Sequence, residues 1–309
     1  MIFNKLLGVK TKFRKGNENW RMRKLFDQER PVITVAQDGS GDFQKIEDAL
    51  RIATELDGAT IQIKQGTYYP AAESTAIGIT IPSNTRIIGI GESSYIIMPN
   101  LSAAGSCIYL NGKENIILEN LKIKENNSWA FGSYAGKSFI DLSGAELIKI
   151  ENCSFEGSKN VNGATIELFL KVNGSTTQII IKKNKIDVVV EDAEIGGVTG
   201  YSKISILENN WIIGFIMKQG IVGSHVIFSN NWVGSNDSGF TLIDSVVSNN
   251  NKMQAMQFID TQRTSIKGNC AYTIDMAATT SYNNVIGNIL DVAVSNLGTG
   301  NTVANNTIY

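Results

Sequence analysis

The chain has 309 residues, of which 42% are hydrophobic, and no apolar run long enough to cross a membrane, so we expect one large domain and no membrane partner. Its three cysteines, Cys107, Cys153 and Cys270, are too few and too scattered for a disulfide framework or a metal cluster. We predict no metal site and no cofactor. The formal net charge of −1 is uneven, because residues 1–30 hold nine Lys or Arg against three Asp or Glu, which leaves −7 on the rest.

Residues 1–30 are predicted to form an attachment arm outside the main domain. A basic run at 10–15 precedes residues 19–26, which have the pattern of a short amphipathic helix containing Trp20. A cationic arm with aromatic residues suits a partner surface, and a solvated tail with a capping helix is the alternative. Nucleic acid is not the expected partner, since the positive charge is confined to this arm. The N-terminus also lacks the pattern of a secretion signal.

Residues 31–100 predict an N-terminal cap and the first coils of a β-structure. A strand at 32–37 and a turn at 38–43 lead into a helix at 46–56, and further strands follow at 60–64 and within 85–92. The helix is amphipathic. We expect its apolar face to cover the open end of a stack of strands, which would otherwise expose unpaired strand edges.

This stretch resembles the opening of pectin methylesterases and, more broadly, of the pectate-lyase-like superfamily, which includes bacteriophage tailspikes. The residues that carry the resemblance are 33–50, 61–68 and 86–91. The resemblance implies a right-handed parallel β-helix, a fold that serves many functions.

The resemblance does not extend to the catalytic motifs of the esterases. Their paired aspartates lie in the middle coils, and the nearest strings here, at 138–144 and 257–263, do not match. The Arg-rich motif of pectate lyases is also missing, because Arg263 is the only arginine after Arg86. We therefore transfer no catalytic residue from either family.

From residue 115 onward the chain repeats a short phrase of alternating apolar residues followed by asparagine. Asn120 and Asn152 end the clearest copies, Lys183 takes the equivalent place in the third copy, and the later copies contain Asn209, Asn230, Asn288 and Asn305. The interval between aligned asparagines is 32 residues at Asn152, 21 at Asn230, 19 from Asn269 to Asn288 and 17 at Asn305, and the last intervals are too short for a four-stranded propeller blade. Asparagine suits a bend between strands, because it accepts left-handed backbone angles and its amide can bond the copies above and below.

A second phrase, at 107–112, 139–144 and 169–174, lies between copies of the first. Each coil therefore contains at least two strands with a corner between them. The predicted fold is all-β, a right-handed parallel β-helix or solenoid spanning 31–309, with the repeated coils at 101–309.

An acidic series near the C-terminus is the candidate for catalysis. Each of its members follows an apolar residue, at intervals of 16, 15 and 16: Asp244, Asp260, Asp275 and Asp291. If these carboxylates stacked in equivalent positions, neighbours would raise one another's pKa. A glycosidase requires at least two carboxylates, about 5 to 10 Å apart. The alternative is a row of solvent-facing corners.

Aromatic and acidic residues on other coils are candidates for ligand contact. Trp211 and Trp232 occupy the same place in successive copies, so we expect them to lie one above the other and to contact sugar rings or a neighbouring subunit. Trp129 and Tyr134 belong to an aromatic loop that could line a groove, and Glu191 and Asp192 form a second acidic cluster.

Together these features favour a tailspike-like or related virion protein that binds, and in one version cleaves, a surface polysaccharide. We expect a homotrimer on a virion appendage, attached through residues 1–30, because the final residues carry no segment that would cover the last coil. A monomeric carbohydrate-active enzyme and a purely structural β-helix are the alternatives.

Overall fold

The computed structural model describes residues 30–308 except 75–76, 92–93, 99–104, 126–137, 157–167, 172–176, 191–204, 209, 216, 225, 235–237, 244 and 249–250. The elements in chain order are β1 (Val32–Val35), α1 (Ile46–Glu55), β2 (Thr60–Ile63), β3 (Gly66–Tyr68), β4 (Ile77–Thr80), β5 (Arg86–Gly89), β6 (Ser94–Met98), β7 (Ser106–Tyr109), β8 (Glu114–Glu119), β9 (Lys122–Glu125), β10 (Ser138–Asp141), β11 (Glu146–Glu151), β12 (Ser154–Glu156), β13 (Leu168–Lys171), β14 (Thr177–Lys182), β15 (Lys185–Val190), β16 (Ser205–Glu208), β17 (Trp211–Phe215), β18 (Met217–Ser224), β19 (Val226–Ser229), β20 (Trp232–Gly234), β21 (Ser238–Ile243), β22 (Val246–Ser248), β23 (Lys252–Phe258), β24 (Ser265–Lys267), β25 (Cys270–Met276), β26 (Asn284–Ile286), β27 (Ile289–Leu290), β28 (Ser295–Asn296), β29 (Thr302–Ala304) and β30 (Thr307–Ile308).

The strands form three sheets in which neighbouring strands come from successive coils and run parallel. The first sheet has 12 strands in the order β1-β2-β5-β8-β11-β14-β16-β19-β22-β24-β26-β29. The second has 14, with the main path β3-β6-β9-β12-β15-β17-β20-β23-β25-β27-β30 and with β18, β21 and β28 joined at its side. The third is β13-β10-β7-β4. The chain thus passes from the first sheet to the second once in every coil, which is a parallel β-helix.

One apolar residue per coil builds the core of the first sheet. The register aligns Ile33, Ile61, Ile87, Leu118, Ile150, Ile181, Leu207, Phe228, Val247, Ile266, Val285 and Val303 in a single column. The members from Ile33 to Val285 whose side chains are described are buried. Because alternate residues of a strand face opposite sides, this column fixes which side of every strand is inward. The core is therefore continuous from coil to coil.

Helix α1 packs its apolar face into the same core. Its buried residues are Ile46, Ala49, Leu50 and Ala53, whereas Leu56, which the amphipathic pattern placed on the same face, is 37% exposed. Glu47 and Asp48 in the first turn interact favourably with the helix dipole. The helix ends one residue before the predicted Leu56, and Gly58, at φ 117°, then donates its amide to the Ala53 carbonyl at 2.8 Å.

The corner from the first sheet to the second uses two adjacent columns of residues. The first column holds a left-handed backbone, with Asn120 at φ 56°, Asn152 at 53°, Lys183 at 55° and Asn230 at 54°. The second column, one residue later, is an asparagine ladder whose side-chain amides bond from coil to coil: Asn184, Asn210, Asn231, Asn251, Asn269, Asn288 and Asn306. The predicted bend and the predicted bonds to the copies above and below are both present.

The two columns correct part of the predicted alignment. Asn305, at φ 54°, belongs to the left-handed column, so the ladder partner of Asn288 is Asn306, 18 residues on, and not Asn305. Of the predicted arm at 1–30, only Arg30 lies within the described residues, and the division into arm and β-helix stays a prediction. Within the described part of the chain, no helix has the length and apolar character needed to span a bilayer.

Candidate functional site

A column of mostly polar and aromatic residues runs along the second sheet, and those of its side chains that the structure describes are half-buried or exposed. We call these residues, which share one register position, the outer column: Thr67, Tyr95, Lys122, Ser154, Lys185, Trp211, Trp232, Lys252, Cys270, Ile289 and Thr307. The residues that directly follow Tyr95, Lys122 and Ser154 are buried, so these three side chains face away from the core.

The register confirms the predicted alignment of the two tryptophans. Trp211 of β17 pairs directly with Trp232 of β20, and Lys185 and Lys252 flank the pair on the neighbouring strands. Adjacent strands lie about 4.8 Å apart, so the two backbones are one strand spacing apart. The column thus continues the line of Tyr95 and Lys122 into the later coils.

Four residues of the outer column, Tyr95, Lys122, Ser154 and Lys185, line a cleft of about 710 Å3 across the early coils. Its lining residues come from the second sheet, from the corner, and from the end of β5 and the turn that follows it: Gly89, Gly91, Tyr95, Asn120, Leu121, Lys122, Asn152, Cys153, Ser154, Glu156, Lys183 and Lys185. The strands supply Tyr95, Lys122 and Lys185, while the corner supplies Asn120 and Asn152. The asparagine corner therefore positions one wall of the cleft.

Tyr95 and Lys122 contact each other in this cleft. The Lys122 ammonium lies 4.9 Å from the centre of the Tyr95 ring and 3.5 Å from its hydroxyl oxygen. A cation over an aromatic face is attracted by the ring quadrupole. The contact restrains an otherwise mobile lysine beside an aromatic surface, and both side chains are only half-buried.

The corner residues are held by hydrogen bonds and ion pairs. The Asn152 side-chain amide donates to Asn120 Oδ1 at 2.6 Å, which aligns the two amides along the cleft. Lys183 Nζ lies 3.6 Å from Glu151 Oε1, and Lys149 also bonds Glu151. The hydrogen bond from Lys149, together with the positive charges of Lys149 and Lys183, lowers the pKa of Glu151 despite its partial burial.

The cleft carries an excess of positive charge. Its lining contains three lysines, Lys122, Lys183 and Lys185, against one glutamate, Glu156. Glu156 lies 3.9 Å from Lys124 on the neighbouring strand. Lys185 is exposed and forms no ion pair with any residue that the structure describes. Aromatic, amide and cationic groups on one concave surface can bind a polar ligand with flat rings and negative charge.

The described members of the acidic series do not stack. Asp275 lies in β25, level with Gln257 on one side and Ser295 on the other. Asp260 lies beyond the end of β23, in a left-handed turn at φ 49°. Asp291 directly follows Leu290, which pairs with Ala271, so it is level with Tyr272. The expectation of equivalent coil positions is therefore wrong for these three, and their catalytic role stays a prediction.

Several predicted site residues lie outside the described residues. They are Asp244, Trp129, Tyr134, Glu191 and Asp192. In the part of the chain that is described, no three His, Cys, Asp or Glu side chains are grouped closely enough to hold a metal ion.

The sequence analysis missed Tyr95, Lys122, Ser154 and Lys185. A usable signal exists, because Lys122, Ser154, Lys185 and Trp232 each follow the left-handed corner residue by two positions. The same offset places Trp211 after Asn209. If positions were numbered from the left-handed corner residue, and not from the apolar residues, the sequence would have placed the lysines and the tryptophans at one register position.

Comparisons with solved structures agree with the fold. The alginate lyase from Paenibacillus sp. str. FPU-7 superposes with a TM-score of 0.61 at 12% identity, covering 89% of this chain and 99% of that one. DFA-IIIase from Arthrobacter chlorophenolicus A6 gives 0.61 at 16% identity, covering 85% and 79%. The tailspike protein of E. coli bacteriophage HK620 gives 0.57 at 12% identity, covering 89% of this chain and 60% of the tailspike.

These neighbours are all pectate-lyase-like β-helix proteins, which is the fold that the opening residues resemble. At such low identity the likeness shows the fold alone. No protein-family model matches the chain, and no curated protein matches its sequence.

Proposed function

We propose that this chain is a tailspike-like β-helix protein that binds a surface polysaccharide along the outer column. The observation that carries the proposal is the cleft, in which the Tyr95 ring, lysine ammonium groups and the amides of Asn120 and Asn152 converge. A sugar ring offers an apolar face to an aromatic ring and hydroxyl groups to amides and ammonium ions. The aligned positions of Trp211 and Trp232 extend the surface for a longer chain.

The fold neighbours support a carbohydrate ligand. The HK620 tailspike was solved in complex with a pentasaccharide, DFA-IIIase was solved with GF2, and a third neighbour is an alginate lyase. Their ligands and activities belong to those proteins. For this chain they make an extended glycan the first ligand to test.

The binding test compares two tyrosines. Tyr95→Ala removes the ring from the cleft, and we expect about a tenfold loss of affinity for the bound polysaccharide, consistent with the strength of a partly desolvated aromatic contact. Tyr282→Ala is the matched control, because Tyr282 is exposed and lies at the corner before β26, away from the cleft. Equal affinities for wild type and Tyr95→Ala, measured by biolayer interferometry on immobilised glycans, would remove the cleft from the proposal.

The finer parts of the proposal concern assembly. In it, the β-helix is right-handed, α1 caps its first coil, and three chains form a homotrimer on a virion tail or surface appendage through the arm at 1–30. The cationic charge of the arm supports an attachment role. Light scattering tests the trimer: we expect three times the chain mass both for the full chain and for one lacking residues 1–30. If both the full and the shortened chain were monomers, the proposal would reduce to a monomeric carbohydrate-binding protein.

Cleavage of the glycan is the second candidate function. Asp275 favours it, because this half-buried carboxylate accepts a hydrogen bond from Thr273 Oγ1 at 3.3 Å. A hydrolase or lyase would release new chain ends from the bound polysaccharide. Loss of that release in Asp275→Asn, with glycan binding intact, would identify the carboxylate as catalytic. Unchanged release would exclude it.

A further inference from the structure

We propose that the polysaccharide alternates an acidic sugar with a neutral one and runs parallel to the axis of the β-helix. The inference rests on the proposed function and concerns the charges of three consecutive coils, those of Lys122, Ser154 and Lys185. Ser154 pairs with Lys122 on one side and with Lys185 on the other. The two lysines are therefore two strand spacings apart, about 10 Å.

The charge of the cleft lining changes from coil to coil. The coil of Lys122 contributes one cation and the Asn120 amide, and the coil of Lys185 contributes two cations, Lys183 and Lys185. The coil between them contributes Ser154, the Asn152 amide and the Glu156 carboxylate. Among the lining residues, positive charge therefore occurs on the two outer coils of the three. The middle coil offers hydrogen-bonding groups and Glu156, whose negative charge is partly offset by Lys124 at 3.9 Å.

The spacing of coils relates this pattern to a glycan. A pyranose residue in an extended chain spans about the distance between neighbouring coils, so a chain parallel to the axis places about one sugar over each coil. Carboxylates on alternate sugars would then meet the coils of Lys122 and Lys185. The neutral sugar between them would meet a serine hydroxyl and an amide, which bind hydroxyl or acetamido groups.

Two other classes of glycan fit less well. A polymer with a carboxylate on every sugar would place one beside Glu156, and like charges at close range disfavour binding. A neutral polymer would desolvate the lysines without pairing their charge. Electrostatic complementarity discriminates between partners in this way even where it adds little to affinity.

The test measures binding of the full chain to three defined polysaccharides at physiological ionic strength. Hyaluronan alternates uronate with N-acetylhexosamine, polygalacturonate carries an acid on every residue, and dextran is neutral. We expect hyaluronan to bind about tenfold more tightly than the other two, since each exposed charge pair is worth a factor of about two to five. Lys122→Gln and Lys185→Gln should each weaken hyaluronan binding, whereas Lys267→Gln, exposed in the first sheet, should not.

A variant that is expected to change the binding preference, and not only to weaken binding, gives a second test. Ser154→Lys places a cation on the middle coil, and we expect the preference to move from hyaluronan toward polygalacturonate. Ser154→Gln is its matched neutral control and should keep the wild-type order. Equal binding of all three polymers, preference for dextran or polygalacturonate by the wild type, or an unmoved preference in Ser154→Lys would overturn the alternating pattern. Failure of every polysaccharide to bind would instead overturn the proposed function itself.

Discussion

Substitution of Asn288 by leucine tests whether the asparagine ladder stabilises the C-terminal coils. Asn288 is 1% exposed and has the same branched side-chain skeleton as leucine, so the change removes the polar groups and keeps the branching of the side chain. Its Oδ1 accepts from the Asn269 backbone amide and from Asn269 Nδ2, both at 3.0 Å. Its own Nδ2 donates to the Ile266 carbonyl at 3.2 Å and to Asn306 Oδ1 at 2.9 Å.

The variant leaves the buried Asn269 backbone amide without its acceptor and removes the side-chain bonds to Asn269 Nδ2, the Ile266 carbonyl and Asn306 Oδ1. A buried amide left unsatisfied costs about 1–3 kcal/mol and each further hydrogen bond lost costs about 0.5–1 kcal/mol, so we expect the free energy of unfolding to fall by about 4 kcal/mol. Urea denaturation followed by circular dichroism gives the total. Hydrogen exchange locates it, and the Asn269 amide should lose its protection first.

Asn284→Leu is the control, because Asn284 is exposed at the start of β26. A surface change of this kind should alter the free energy of unfolding by no more than about 0.5 kcal/mol. If Asn288→Leu cost no more than this control, and the Asn269 amide stayed protected, the ladder would be a consequence of the stacked coils and not a cause of their stability.

Three further variants or conditions test other parts of the structure. Gly58→Ala should destabilise the chain by about 3 kcal/mol, because a Cβ there would come within 2.3 Å of the Asn84 carbonyl oxygen at φ 117°, and thermal unfolding would measure the loss. Cys270 is exposed and should react with a thiol reagent at pH 8 in the folded protein. Burial raises the pKa of Cys153 to about 12, so Cys153 should stay unreactive until the chain unfolds. Rapid labelling of Cys153 would contradict that burial. Because its pKa is lowered in the folded protein, Glu151 stabilises the fold above its ordinary pKa of 4.5, and this stabilisation is lost as the pH falls from 4.5 through the lowered pKa. Glu151→Gln should therefore flatten the acid limb of a plot of stability against pH. An unchanged limb would count against the ion pairs.

The repeated sequence motif predicted the fold correctly because it reflects backbone conformations that each corner and strand needs locally. Asn120 and Asn152 each supply a left-handed corner, and their neighbours alternate with the period of a strand. Both signals depend on a few consecutive residues and survive changes in coil length. The same holds for α1, whose apolar face was visible from its own sequence.

The acidic series shows why the site was harder to predict. Asp260 and Asp275 both follow an isoleucine, yet one lies in a turn after β23 and the other lies within β25. Equal spacing along the chain does not mean equal position in a coil, because coils differ in length and a strand may continue where its neighbour has ended. Only the register, counted from the corner, placed Lys122 and Lys185 in the line of the tryptophans.

The fixed corner also bears on how the surface of such a protein can change during evolution. The asparagine ladder holds the backbone in one place in successive coils, and each of these coils has its outer-column residue one position later. A point substitution there alters one place on the surface and leaves the neighbouring coils where they were. New ligand preferences can therefore arise coil by coil, through single codon changes, without any insertion or rebuilt loop.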